Sequence, residues 1–291
     1  MVRRFLVVLG AVLALLAGCA REEPTAAAAA GAAQRFMESL AAGDFDRVWG
    51  ALTAEARRRM DAEVVQAYLA GHDITYEAVG GAREVDAGVV RVAVSDLVVG
   101  DAGRSVHWPE SWLTLRWEDD RWAVAWAGPL FEPAETAYHN TLYQDQFELA
   151  SDIVAIDPYH YRGHLELHYA YRGLGRIRQA EYALATALER ATSPEKADVI
   201  AAKARFRLAL GAPEDALAYA LEALELARPF TPGTYSPAWQ AETLILGAQA
   251  ALSLGDAETA QQLVDRAADV DPESVAVAVF RYHHAAGGLT Q

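Results

Sequence analysis

Three segments of the 291-residue chain repeat one pattern of small residues. Gly175, Gly211 and Gly255 each stand between two apolar helical stretches. Alanine follows each glycine five residues later (Ala180, Ala216, Ala260) and again twelve residues later (Ala187, Ala223, Ala267). A helix pair that stacks on copies of itself needs a turn residue free of side-chain strain, then small residues where the second helix crosses the first closely. The pattern therefore predicts an array of antiparallel helix pairs in the second half of the chain. The glycines lie 36 and then 44 residues apart, which places an insertion at the Pro-rich loop RPFTPGTYSP, 228–237.

These offsets, together with Asp157-Pro158 and Asp271-Pro272, resemble the tetratricopeptide repeat, whose period is about 34 residues. The resemblance covers residues 139–285. It implies a half repeat over 139–158, three full repeats, and a capping helix SVAVAVFRYHH after Pro272. The first repeat departs from the family in having Thr192 with a late Pro194, and the second lacks a closing Asp-Pro. In that family the first helix of each pair lines a concave groove that holds a protein or peptide. The groove positions fall on Arg162, Leu165, Tyr169 and Arg172, on Asp198, Ala201, Arg205 and Leu208, and on Glu242, Ile245, Gln249 and Leu252. Arg162, Arg172 and Arg205 are expected either to hold a carboxylate such as a peptide C-terminus or to stand as ordinary solvated arginines.

The first half reads differently. From Ala33, apolar residues recur at three- and four-residue spacing (Phe36, Met37, Leu40; Val48, Trp49, Leu52; Val64, Val65, Tyr68, Leu69), which predicts three helices. The period then switches to two. Val90, Val92 and Val94 share one face, as do Leu113, Leu115 and Trp117, and then Trp122, Val124 and Trp126 beyond a tight turn at Asp119-Asp120. Helices followed by an antiparallel meander predict an α+β domain. The segments AAQRFMESLAAGDFDRVWGALT and WLTLRWEDDRWAVAWAGPLFEP resemble a nuclear transport factor 2-like domain, in the version found at the N-terminus of penicillin-binding transpeptidases. That resemblance implies a cone-shaped half-barrel over residues 33–133. It is expected to carry the fold without cell-wall catalysis, because no transpeptidase sequence follows it. Members of the wider superfamily use Asp, His or Tyr inside the cone. The candidates here are Tyr76, Asp96, His107 and Glu110, with rim and loop positions the favoured reading and the Trp cluster read as core.

Cys19 is the one cysteine of the chain, and it follows a positive Arg3-Arg4 segment, an apolar run over 5–16, and the small residues Ala17 and Gly18. This is a secretory signal too short to span a bilayer as a helix. Leu16-Ala17-Gly18-Cys19 resembles the bacterial lipobox. The resemblance implies cleavage before Cys19, a diacylglyceryl group on its sulfur and an acyl chain such as palmitate on the new N-terminus. The expected organisation is signal peptide 1–18, lipidated tether 19–32, α+β domain 33–133 and helical repeats 134–291. Residues 26–30 are five consecutive alanines, which either belong to the tether or extend the first helix.

Forty acidic residues against twenty-five basic ones give a net charge of −15, and cleavage would remove Arg3 and Arg4 but no acid. Such a surface argues against a nucleic-acid partner. His160, His164 and His168 lie at i, i+4 and i+8, a spacing that can ligate zinc on a helix. The segment reads His-x-Glu-x-His, however, and repeat register puts His164 and His168 at packing positions, so no metal or cofactor is expected. A nucleophile elbow and a phosphate loop are both missing from the sequence. The function expected from the sequence is a non-enzymatic adaptor, lipid-anchored at the extracytoplasmic face of a bacterial envelope, binding a protein or peptide through its repeats. The alternative is an enzyme-like or small-ligand protein using the cone.

Overall fold

The hydroxyl of Thr25 accepts a hydrogen bond from the Ala28 N–H at 3.2 Å, and this N-cap starts helix α1 (Ala26–Ala41). Alanine is the strongest helix former, so the alanine run winds into helix instead of hanging as a tether, and Ala29 and Ala33 are fully buried. The tether expected over 19–32 therefore loses residues 26–32. The structure is a computed structural model that describes residues 24–101, 104–193, 195–230 and 234–285. The signal segment and Cys19 lie outside the described residues.

Three short helices follow, α2 (Phe45–Ala51), α3 (Ala54–Arg59) and α4 (Ala62–Gly71), one more than the spacing predicted. Asp44 and Thr53 cap the first two through their side-chain oxygens. Five antiparallel strands come next: β1 (Asp73–Thr75), β2 (Ala78–Asp86), β3 (Val89–Asp101), β4 (Arg104–Glu118) and β5 (Arg121–Ala125). β3 pairs with β4, and β4 with β5. β1 and β2 share the other edge of β3. Asp119 and Asp120 both adopt positive φ (51° and 60°), the two-residue turn that matches strand twist, and they set Trp117 against Trp122 with ring centroids 5.4 Å apart. Val90, Val92, Val94, Leu115, Trp122 and Val124 then meet Phe36, Met37, Val48 and Leu52 in one core.

The second half consists of antiparallel helix pairs: α5 (Gly128–His139) with α6 (Tyr143–Ile156), α7 (Tyr161–Gly173) with α8 (Ile177–Arg190), α9 (Lys196–Ala209) with α10 (Pro213–Ala227), and α11 (Pro237–Ser253) with α12 (Ala257–Val270). Helix α13 (Val275–Ala285) packs on the last pair. Gly175, Gly211 and Gly255 turn each pair at φ of 70° to 79°, as the offsets predicted. The alanines five and twelve residues beyond them are all at least 98% buried.

The half repeat expected over 139–158 is helix α6, and α5 before it, which the sequence did not reveal, completes the pair. Thr141 takes the left-handed turn (φ 58°) 34 residues before Gly175. The expected boundary at 133/134 falls inside α5, which contains Pro133. This pair also belongs to the sheet's core: Ala134, Ile153 and Ile156, each fully buried, join the cluster built around Phe36 and Trp122. Arg59 of α3 reaches across to Asp152 of α6 as an ion pair. The end of the insertion packs on the array, with Tyr235 buried against Ala197 and Ala227 and its ring 4.4 Å from that of Trp239.

Helices α6 and α7 approach closely at Gly163, where an added Cβ would lie 2.8 Å from Ile153 Cγ2. Helix propensity alone favours alanine there by about 1 kcal/mol, whereas overpacking costs about 1–3 kcal/mol. Gly163→Ala is therefore expected to lower stability by roughly 1 kcal/mol in denaturant titration. A higher unfolding midpoint would show that the helices do not touch there.

Candidate interaction groove

The first helices of successive pairs, α5, α7, α9 and α11, offer one face of the array. Their side chains divide it into two regions of different chemistry. At the α5/α7 end, the Arg162 guanidinium lies 5.0 Å over the Phe131 ring, donates to Glu135 Oε2 at 3.0 Å, and stands 3.8 Å from Glu166 Oε1. Glu166 is buried and accepts from the Gln146 amide at 2.9 Å. Asp198 of α9 also acts on Arg162. Carboxylates thus meet the positive charge of Arg162 from several sides, which fits neither the open carboxylate site nor the solvated arginine that the sequence allowed. Leu165 is likewise not a groove residue: it is 7% exposed and packs in the cluster with Tyr161, Leu184 and Phe206.

Beyond Arg162 the face changes. Arg172 donates to the Tyr138 hydroxyl at 3.0 Å and lies 5.8 Å over the Tyr169 ring. The rings of Tyr138 and Tyr169 are 5.0 Å apart, and burial pushes the Tyr169 hydroxyl up to about 12. Further along stands Arg205, a half-buried residue with no hydrogen bond or ion pair among the described residues. Arg205 lines a cleft of about 380 Å³ with Leu208, Ile245, Leu246, Glu242 and Gln249. The structure therefore places Tyr169, Arg172, Arg205 and Gln249 on the expected face. A guanidinium beside an apolar floor can pair bidentately with a carboxylate whose neighbour is an apolar side chain.

The sequence missed Glu135, Tyr138 and Glu166, which decide how much positive charge the face shows. Counting one period back from Gly175 to Thr141 would have revealed α5 and its groove residues.

The cone candidates separate. Alternation from Val90 to Val94 would turn Asp96 inward. Its backbone is instead left-handed (φ 48°), Pro109 stands opposite without an N–H, and Leu97 and Val99 pack towards the core. Asp96 and His107 meet outside, Oδ1 to Nε2 at 2.9 Å, with side chains 46% and 37% exposed. The histidine contact holds the Asp96 carboxyl below its usual range. Tyr76 packs against the core and its hydroxyl accepts from Gln34 at 3.1 Å. Glu110 is exposed and accepts from the Trp112 indole. The four do not form a joint site; Phe36, Met37 and Trp122 are buried in the core behind the sheet, with Trp117 and Trp126 packed against it, and a cleft of about 330 Å³ opens beside Phe36, Trp122 and Val124 without touching any of the four.

The three histidines of this stretch each have separate work. His160 accepts from the Arg162 N–H at the start of α7, His164 contacts the Pro158 carbonyl at 2.9 Å, and His168 contacts the Ala180 carbonyl at 2.9 Å with its ring edge-on to Phe206. Burial lowers His160 to about 3 and His168 to about 4, which keeps both neutral at physiological pH.

No protein-family model and no curated protein matches the chain. Among solved structures it is similar to BtubC (BKLC) from P. vanneervenii, at 18% identity over 50% of this chain and 62% of that one, with a TM-score of 0.44. It is also similar to TTC0263, a thermophilic TPR protein in Thermus thermophilus, at 24% identity over 54% of this chain and 79% of that one (TM-score 0.45). A third is YrrB, a TPR protein with an unusual peptide-binding site, at 14% identity over 54% and 93% (TM-score 0.30). The chain thus spans 62% of the length of the first of these. The helical part is tetratricopeptide-like by its own geometry, in its pairs, its left-handed turns and its buried small residues.

Burial raises Asp198 to about 6, opposed by the charge of Arg162 and by the neighbouring Trp239 and Tyr161 side chains. Its pKa is higher folded than unfolded, so its contribution is fully present below about pH 4 and is lost as pH rises through about 6. Asp198→Asn is expected to be more stable than the parent by about 1–2 kcal/mol at pH 7.5, with the difference gone at pH 4. Urea unfolding at both pH values measures it, and a destabilised variant at pH 7.5 would overturn the assignment.

Proposed function

We propose that the protein is a non-enzymatic, lipid-anchored adaptor of a bacterial envelope whose helix-pair array binds a protein segment. The observation that carries this reading is Arg205, a half-buried guanidinium without an acidic partner among the described residues, set beside the apolar cleft of Leu208, Ile245 and Leu246 on the face of the first helices. The ligand this geometry suits is a chain end or loop that presents a carboxylate next to an apolar side chain. Arg172 and the paired rings of Tyr138 and Tyr169 extend the same surface towards α5. Tyrosine and arginine are the residue types that dominate binding energy at such surfaces. The lipobox-like segment ending at Cys19 supports the anchor, with the short stretch up to Thr25 as the link to the folded part. The outward, exposed placement of Asp96 and His107 and the separation of the four polar candidates favour the adaptor over a cone-pocket enzyme.

Two measurements test the proposal. Short peptides ending in a free carboxylate after an apolar residue are expected to bind the full chain at least tenfold tighter than their amidated forms, and Arg205→Glu to abolish that preference. Equal binding of both forms, or a preference that survives the substitution, would sink the groove assignment. In membrane fractionation of the producing cell, Cys19→Ser is expected to move the protein out of the membrane fraction; retention there would remove the lipid anchor.

A further inference from the structure

A second cleft, of about 610 Å³, lies on the outer face of the sheet, where β2, β3 and β4 meet the C-terminal end of α8 and the start of α9. Four cations line it, Arg83, Arg91, Arg190 and Lys196, against two carboxylates, Glu110 and Glu189. In a chain of net charge −15, an excess of positive charge lining a half-open cleft needs a physical account.

The register sharpens the point. Arg83 and Arg91 are directly opposed across β2 and β3, and both guanidiniums lie over the Trp112 ring, at 4.4 and 5.3 Å. Like charges placed opposite each other in an antiparallel pair destabilise it. Arg190 adds a third guanidinium, lying 4.9 Å over the Tyr159 ring, and it repels Arg91 as Arg83 does. Arg91 is only 5% exposed and makes no hydrogen bond or ion pair among the described residues, and the Nε atoms of Arg91 and Arg190 are buried without partners. The nearest balancing acids, Asp157 and Glu195, act on Arg91 without forming an ion pair with it. One buried guanidinium and two more exposed ones converging on the same cleft, with aromatic rings supporting their faces, are arranged to receive oxyanion groups.

We propose that this cleft binds a small, diffusible, hydroxylated molecule bearing phosphate or carboxylate groups, with Arg83, Arg91, Arg190 and Lys196 holding its anionic end. The volume falls within the range of small-molecule pockets and exceeds what a bare phosphate needs, so the ligand carries a polar body. Glu110 and Glu189 supply acceptors for its hydroxyl groups. The site is separate from the groove of the helix pairs, and the proposal does not depend on that reading.

The test is isothermal titration of the full-length chain with inorganic pyrophosphate, ribose 5-phosphate and ribose at 0.15 M salt. The two phosphates are expected to bind saturably and ribose not at all. Arg190→Gln and Arg83→Gln, both near the rim, are each expected to weaken phosphate binding at least tenfold. Arg266→Gln, an exposed residue of α12 that lines neither cleft, is expected to leave it unchanged. Arg83→Gln removes a repulsive neighbour from Arg91, so its melting temperature without ligand is expected to equal or exceed the parent's. Loss of binding is thereby distinguished from loss of folding. Absence of saturable phosphate binding by the parent chain, or affinity unchanged in the Arg83→Gln and Arg190→Gln double variant, would overturn the proposal.

Discussion

The contact on which the rest of the structure depends is the burial of Ile153 and Ile156 of α6 in the core that Phe36 and Trp122 organise. Two fully buried isoleucines contribute several kcal/mol of transfer free energy to that junction. Their effect is also geometric. Helices α5 and α6 act at once as a cover for the sheet domain and as the first helix pair of the array, so there is no free linker between the halves. Each later pair stacks on the one before it, and the direction of the whole array follows from this first docking.

The same junction explains where the polar groups gather. The chain leaves α6 at Asp157, whose carboxyl is buried and pushed up to about 6 by desolvation, eased by the Tyr159 N–H, Thr114 and the charges of Arg91 and Arg116. Nearby, His160 is held neutral against Phe131. An apolar contact there would pack more tightly. The polar contact instead holds the turn between α6 and α7 against the sheet's outer face, and Tyr159 of that turn lines the cationic cleft beside Trp112.

The sequence made the repeats legible wherever glycine and alanine carried the constraint, because a left-handed turn and a close helix crossing admit few residue types. The first pair escaped because Thr141 takes the turn at some conformational cost, and its two crossing positions hold Gln146 and Ile153 in place of alanines. Those larger residues are there because this pair faces the sheet core and Glu166, a contact the later pairs do not make. The α1 boundary was undecidable from spacing, since five alanines have no pattern and only the Thr25 cap and burial against the sheet settle it. Asp96 defeated strand alternation through one left-handed residue opposite a proline.

Side-chain charge was the least legible feature, for a reason that follows from the first pair. Repeat register names which residues face the groove, but their electrostatics come from neighbours on adjacent helices. Arg162 and Arg205 both hold groove positions in the expected pattern. Arg162 lies beside α5, an unrecognised helix that brings Glu135, and beside Glu166, so its charge is answered internally. Arg205 faces α11, where Glu242, Ile245 and Gln249 line the cleft with it, and it forms no ion pair among the described residues. An arginine can therefore stay unpaired within an acidic chain when the helix beside it brings no carboxylate within ion-pair reach. The helix packed alongside an arginine, more than the arginine's place in the repeat, determines whether its charge is answered within the fold.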